Sequence, residues 1–254
     1  FLSSSKSFKI ITDKELRKNN HLSKNDKNFI INMSKGVLRY KEVLDFNILK
    51  YSKIKKIDNK TLALLYIGIY QLLYCDGIPN YAAVNTTIEL SNLRYKRSSK
   101  FINAILRKIE KKSFKINYNS TNKNLDLVNF SCPKWIVQKI VNEHGLIKAK
   151  NFLKLSLKIP DIWLRVNLIK TDIQSIKNTL NKNSIAFIQD SYLDFFIKVE
   201  KFDNNGILIG LLNDGYLYAQ NPSSGHVVNL MEIASDDHSI LDACASPGGK
   251  SSLI

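Results

Sequence analysis

"NKTLALLYIGIYQLLYCDG", Asn59–Gly77, is apolar nearly all round. A helix without a polar face must be enclosed on several sides, so this segment demands a bundle around it. Its apolar run, Leu62–Cys75, is shorter than the ~18–20 residues of a membrane span, and no other run reaches that length. Asp76-Gly77 stops the helix, and Ile78-Pro79 begins the next connection.

Neighbours for that helix are at hand. "DKNFIINMSKGVLRYKEVLDFNIL" puts Phe29, Ile30, Met33, Val37, Tyr40, Val43 and Leu44 on one helical stripe. Ser23 or Asn25 can cap its start with a short oxygen side chain. "YAAVNTTIELSNLRY" and "SSKFINAILRKIEKK" supply two more amphipathic helices. An all-α bundle of about five or more helices is predicted over 1–112.

"SFKINYNSTNKNLDLVNF" breaks the pattern and reads as a linker, 113–128. Beyond it the periods alternate. "CPKWIVQKIVNEHG" is a helix with Pro133 at its start and Gly145 just past its end, and "LIKAKNFLKLSLK" continues helical. "DIWLRVNLI", "FFIKVE" and "GYLYAQN" read as strands, "TDIQSIKNTLNKN" and "PSSGHVVNLMEIA" as helices. The second half is therefore expected to be α/β.

Charge separates the halves. Phe1–Lys115 holds 24 Lys and Arg against 9 Asp and Glu, whereas Ile116–Ile254 holds 14 against 13. A Lys-rich composition alone does not explain that asymmetry. A polyanion such as RNA is the expected partner of the first half, since Lys and Arg displace counterions from phosphates. Arg39, Arg94, Arg97 and Lys100 are the candidate contacts, Lys96 joins the cluster, and planar guanidinium suits phosphate. Arg107 either meets RNA or supports helix packing. Tyr81 and Asn85 read as packing and capping residues rather than base readers. Three cysteines without a CxxC pair fit a reducing cytoplasm, and four scattered histidines supply no ligand spacing, so no metal is expected.

"SILDACASPGGKSSLI" closes the sequence. "SILDACA" reads as a buried parallel strand, the adjacent glycines permit a tight turn, and "KSSLI" would open a helix. A phosphate loop of the GxxxxGK[ST] type lacks its first glycine, because Cys244 stands there; a GxGxxG fingerprint fails as well. The bare residues leave an ordinary strand–helix turn and a site for a zwitterionic methyl donor. Asp242 either anchors the donor's ammonium or accepts turn N–H groups. Lys250 either meets the donor carboxylate or is solvated.

"LDACASPGGKSS" resembles the donor-binding motif of the RNA cytosine-C5 methyltransferases, LDxCAAPGGKT. "YLYAQNPSSG", "CPKWIVQKIVNEHG" and "IPDIWLRVN" resemble that family's earlier landmarks. "SKGVLRY", "IYQLLYCDGIPNYAAVNTTIEL" and "FINAILRKI" resemble the antitermination factor NusB. The resemblance covers nearly the whole chain. It implies a multidomain protein: a NusB-like RNA-binding domain (1–112), a small α+β subdomain (129–221) and the start of a Rossmann-like domain (222–254). It implies S-adenosyl-L-methionine held by Cys244, Ala245, Ser246, Pro247, Gly248, Gly249 and Lys250, with 16S rRNA as substrate of a cytoplasmic monomer. In that family a cysteine thiolate attacks cytosine C6 before methylation at C5. The nucleophile's Thr-Cys motif and a Pro-Cys motif follow the donor loop, so no catalytic residue is assigned here and the 254 residues by themselves are expected to be inactive. Cys244 is expected to pack rather than react. Asn221 stands where the family has Asp, Ser246 where it has Ala, and Gly225 where a longer side chain is common. The rival expectation is a non-catalytic NusB-like RNA-binding or assembly protein with a degenerate α/β half.

Overall fold

The computed structural model describes residues 7–52, 54, 56–111, 131–200, 206–234 and 239–254. The predicted linker at 113–128 lies outside them. Two compact units divide the chain between Lys158 and Ile159.

The first unit is helical: α1 (Phe8–Lys18), α2 (Lys24–Arg39), α3 (Lys41–Tyr51), α4 (Asn59–Tyr74), α5 (Asn80–Tyr95), α6 (Ser99–Lys111) and α7 (Lys134–Ser156). Ser23 caps α2: its side chain accepts from the Asp26 N–H while the Asp26 carboxylate accepts from the Ser23 N–H, satisfying two free donors at once. Asp58 caps α4 by accepting from the Lys60 and Thr61 N–H groups. As its all-round apolarity requires, α4 lies at the centre. Leu64, Leu65, Ile69 and Leu73 are buried with Val43, Leu44 and Ile48 of α3, Val84 of α5, and Ile102, Ile105, Leu106 and Ile109 of α6.

The single stripe expected from Phe29 to Leu44 is two helices. Tyr40 leaves helical geometry (φ −105°, ψ 16°), and its ring stacks on Tyr74 at 3.9 Å. The break thus coincides with a ring contact to the end of α4, and Phe29 is left 55% exposed. Gly145, at φ 75°, breaks α7 where a helix end was expected, because glycine enters that region without steric cost. Pro133 sits at the N-cap, one residue earlier than expected.

The second unit runs β1 (Ile162–Val166), α8 (Ile173–Lys182), β2 (Phe187–Gln189), β3 (Phe196–Val199), α9 (Gly206–Asn213), β4 (Leu217–Ala219) and α10 (Pro222–Asn229). The sheet order is β2-β3-β1-β4 with every neighbouring pair antiparallel, so two βαβ units interleave in one sheet. β2 and α9 escaped the sequence reading: β2 has three residues, and α9 is a short, almost wholly apolar run without a helical period.

Side chains alternate across a strand, which gives this sheet two different faces. Leu164, Val166, Ile197, Val199 and Leu217 face a core with Ile176 and Leu180 of α8 and Leu208 of α9. The opposite face carries Arg165, with Phe196 and Tyr218 opposite it on β3 and β4. Asn221 caps α10 by accepting from the Ser223 N–H, a role its short oxygen fills as an aspartate would. Gly225 explains its own small size. A Cβ there would lie 2.7 Å from Leu193 Cδ1 and from Phe196 Cε2. Gly225→Ala should therefore destabilise this unit by about 1–3 kcal/mol, the usual cost of overpacking. A lowered urea midpoint with an unchanged slope checks it.

The closing stretch differs from expectation. Ser239–Ala245 is not a strand, and Leu241 is 89% exposed. A parallel strand needs a neighbour to complete its ladder, and none pairs with this run among the described residues. Lys250–Ile254 forms one turn, with Ser252 N–H bonded to Gly248 O at 2.8 Å, rather than a helix. α10 ends at Asn229, short of the predicted Ala234.

Candidate donor loop and basic surface

Cys244–Lys250 is an exposed to half-exposed loop held by three side chains. Asp242 accepts from the Cys244 N–H (3.0 Å) and from the Ser251 hydroxyl (2.6 Å), which joins the two ends of the loop. The Ser251 bond, then the Cys244 N–H, and lastly the charge of Lys250 hold its carboxyl below the usual aspartate range. Of the two roles open to Asp242, acceptance of turn donors is the one seen.

The other two side chains come from the sheet. Arg165 donates through Nη1 to Gly249 O (3.2 Å) and through Nη2 to Ser252 Oγ (2.8 Å). Its guanidinium lies 4.8 Å from the Tyr218 ring centroid, a cation–π contact. The residue is only 3% exposed, and burial lowers its pKa. Gln220, just past β4, donates through Nε2 to the same Gly249 oxygen (2.9 Å). Two adjacent strands thus converge on one loop carbonyl.

Neither Arg165 nor Gln220 stands out as a functional residue in the sequence taken alone. The signal was an arginine inside the apolar strand "IWLRV", where an unpaired charge would be costly. Within the loop, Gly248 stands at φ 97°, and a Cβ there would meet nothing within 4 Å. Backbone conformation, not space, selects glycine. The Gly248 N–H donates to Ala245 O. Cys244 is exposed rather than packed, so the expectation of a packing role is wrong; its backbone N–H is what the turn uses.

In the first unit Arg94, Lys96, Arg97 and Lys100 are all exposed around the 3-10 turn Lys96–Ser98 between α5 and α6. Arg39 is half-buried at the end of α2, near Tyr70, whose hydroxyl burial holds above its usual range against the smaller opposing charge of Arg39. Arg107 pairs with Glu110 at 3.2 Å along its own helix, so it does not bridge helices through that contact. Tyr81 is 65% exposed and Asn85 is exposed, which removes their packing role, and α5 is preceded by Pro79 at its N-cap. Among the described residues no three His, Cys, Asp or Glu side chains gather as a metal site, and no helix is long and apolar enough to cross a membrane.

Residues 3–111 match the NusB family, and residues 132–204 match the ferredoxin-like domain of the RsmF/B-like methyltransferases. The crystal structure of PH0851 shares the fold, with a TM-score of 0.63 at 16% identity over 94% of this chain and 54% of that one. Ribosomal RNA small subunit methyltransferase B of Proteus mirabilis is 28% identical over 94% of this chain and 56% of its own length. The Photorhabdus laumondii protein of the same name is 28% identical over 92% and 54%. Transcription antitermination protein NusB of Acetivibrio thermocellus is 37% identical over 35% of this chain and 65% of its own. Both matched segments, in this order, and the similarity to ribosomal RNA small subunit methyltransferase B along nearly the whole chain point to that family. The chain spans about half the length of the curated relatives it matches.

Proposed function

We propose that the full-length protein is an S-adenosylmethionine-dependent methyltransferase acting on C5 of a cytosine in 16S rRNA, as a cytoplasmic monomer. The observation that carries this reading is the clamp of Arg165 and Gln220 on Gly249, which ties the motif loop to the sheet. The residues fit the donor. Gly248 leaves open space where a side chain would project, and backbone N–H groups in such a loop suit a carboxylate. Cys244–Lys250 would hold the donor's amino-acid end, with Lys250 beside its carboxylate. When bound, the donor supplies an electrophilic methyl group. This chain's own residues orient the loop: Asp242 closes it, and Arg165 ties it to the sheet.

The first unit brings the RNA. Arg39, Arg94, Arg97 and Lys100 would hold phosphates; the domains we assign are 1–112, 113–128, 129–221 and 222–254, with α7 of the third lying in the first compact unit. Thiolate attack on cytosine C6 is assigned to none of the three cysteines here. Burial raises the pKa of Cys75 and Cys132, which disfavours their thiolates.

Incubating unmodified 16S rRNA with the full-length protein and methyl-labelled donor should place the label on C5 of a cytosine. Label on any other atom would overturn the cytosine-C5 reading. RNA bound without any transfer would instead identify an assembly protein that has lost catalysis.

A further inference from the structure

Resting on the reading that the first unit binds RNA, we propose that the groove between α2 and α4 accepts an unstacked base of a single RNA strand. The groove encloses about 460 Å³ and is lined by Val37 and Leu38 of α2, Ala63, Tyr66 and Ile67 of α4, and Tyr95 at the end of α5. Pockets for small ligands span roughly 300–1,000 Å³ and are mostly apolar. Its lips are open: Leu38 is 40% exposed and Ile67 36%.

Charge identifies the occupant. Lys60 Nζ lies 5.3 Å from the Tyr95 ring centroid, and Lys41 Nζ lies 5.9 Å from that of Tyr66. The groove also runs directly into the basic turn. Thr61 Oγ1, in the first turn of α4, donates to Ser98 Oγ at 2.7 Å, and Lys96 and Arg97 follow Tyr95 in the chain. Asp45 accepts from Tyr66 and pairs with Lys41, Asp58 caps α4, and the charge of Glu42 reaches Tyr66, so Lys60 and the basic turn supply the cations for the strand. An apolar slot with aromatic walls, opening onto a track of cations, matches a polymer that alternates flat bases with phosphates. Single-stranded RNA is read in this way, by splaying bases onto aromatic side chains while cations follow the backbone.

Fluorescence anisotropy on the whole chain tests it. The probes are a mixed-sequence single-stranded oligoribonucleotide and an abasic counterpart of equal length. Ala63→Phe, which fills the groove, should weaken binding of the normal strand about tenfold, the worth of one stacked base. It should leave the salt dependence unchanged and barely affect the abasic strand. Leu38→Trp, on the exposed lip, should act in the same direction; its melting curve and that of Ala63→Phe report folding. Unchanged affinity in both folded variants, with wild-type binding intact, overturns the groove assignment and leaves the RNA reading standing. An acidic amphipathic peptide that binds the wild type and loses to Ala63→Phe, while RNA affinity is unaffected, overturns it in favour of a protein partner. A wild-type chain that binds neither strand defeats both readings.

Discussion

Replacing Arg165 with methionine should lower the affinity of the full-length protein for S-adenosylmethionine by tenfold or more while leaving RNA affinity intact. The side chain is buried, and its two donors hold Gly249 O and Ser252 Oγ. Hydrogen bonds from a charged group contribute about 1.5–3 kcal/mol each, so loss of both lets the loop explore conformations that do not bind. Methionine keeps the apolar stem and removes the guanidinium, with its two donors and its contact on the Tyr218 ring. Arg165→Lys should fall between wild type and methionine, because an ammonium cannot reproduce the planar fork that reaches both acceptors. Isothermal titration with the donor, beside an RNA gel shift, measures both effects. Unchanged donor affinity in a folded Arg165→Met protein would mean that the loop holds its shape without the sheet. The basic unit, a separate compact body, should not register the change.

The second large effect is expected in RNA binding. Arg94→Glu with Arg97→Glu should weaken it on the order of 100-fold at low salt. The dependence of log affinity on log salt should also become shallower by about 1.4, since each phosphate contact to a single strand contributes about 0.7. Both side chains are exposed, so the bundle should keep its melting temperature. Arg107→Glu, whose wild-type partner is Glu110 on the same helix, should change the salt dependence less. An unchanged salt slope in the double variant would move the phosphate track away from the turn between α5 and α6.

Much of this was legible in the residues themselves. A segment as apolar as Leu62–Tyr74 has only one stable place in water, the centre of a bundle, and α4 occupies it. Ser23, Asp58 and Asp172 cap the helices they precede, because a short oxygen side chain and free N–H groups are local partners. The basic turn at Lys96–Ser98 was visible as a charge cluster and is exposed as such a cluster must be. The candidate donor loop was visible too, through the resemblance of "LDACASPGGKSS" to a family motif rather than through its small residues alone.

Tertiary structure decided what depends on distant partners. Nothing in "VLRYKEV" announces that the helix stops at Tyr40; the stacking ring belongs to Tyr74 on another helix. Ser239–Ala245 has the composition of a buried strand, yet a strand exists only where a neighbour completes its hydrogen bonds. The clamp on Gly249 brings together Arg165 and Gln220, which are 84 and 29 residues away from it in the chain. Local sequence sets backbone preference and capping because those interactions are made within one turn. Sheet order β2-β3-β1-β4 alone puts β1 and β4 side by side, and so aims an arginine and a glutamine at the same carbonyl.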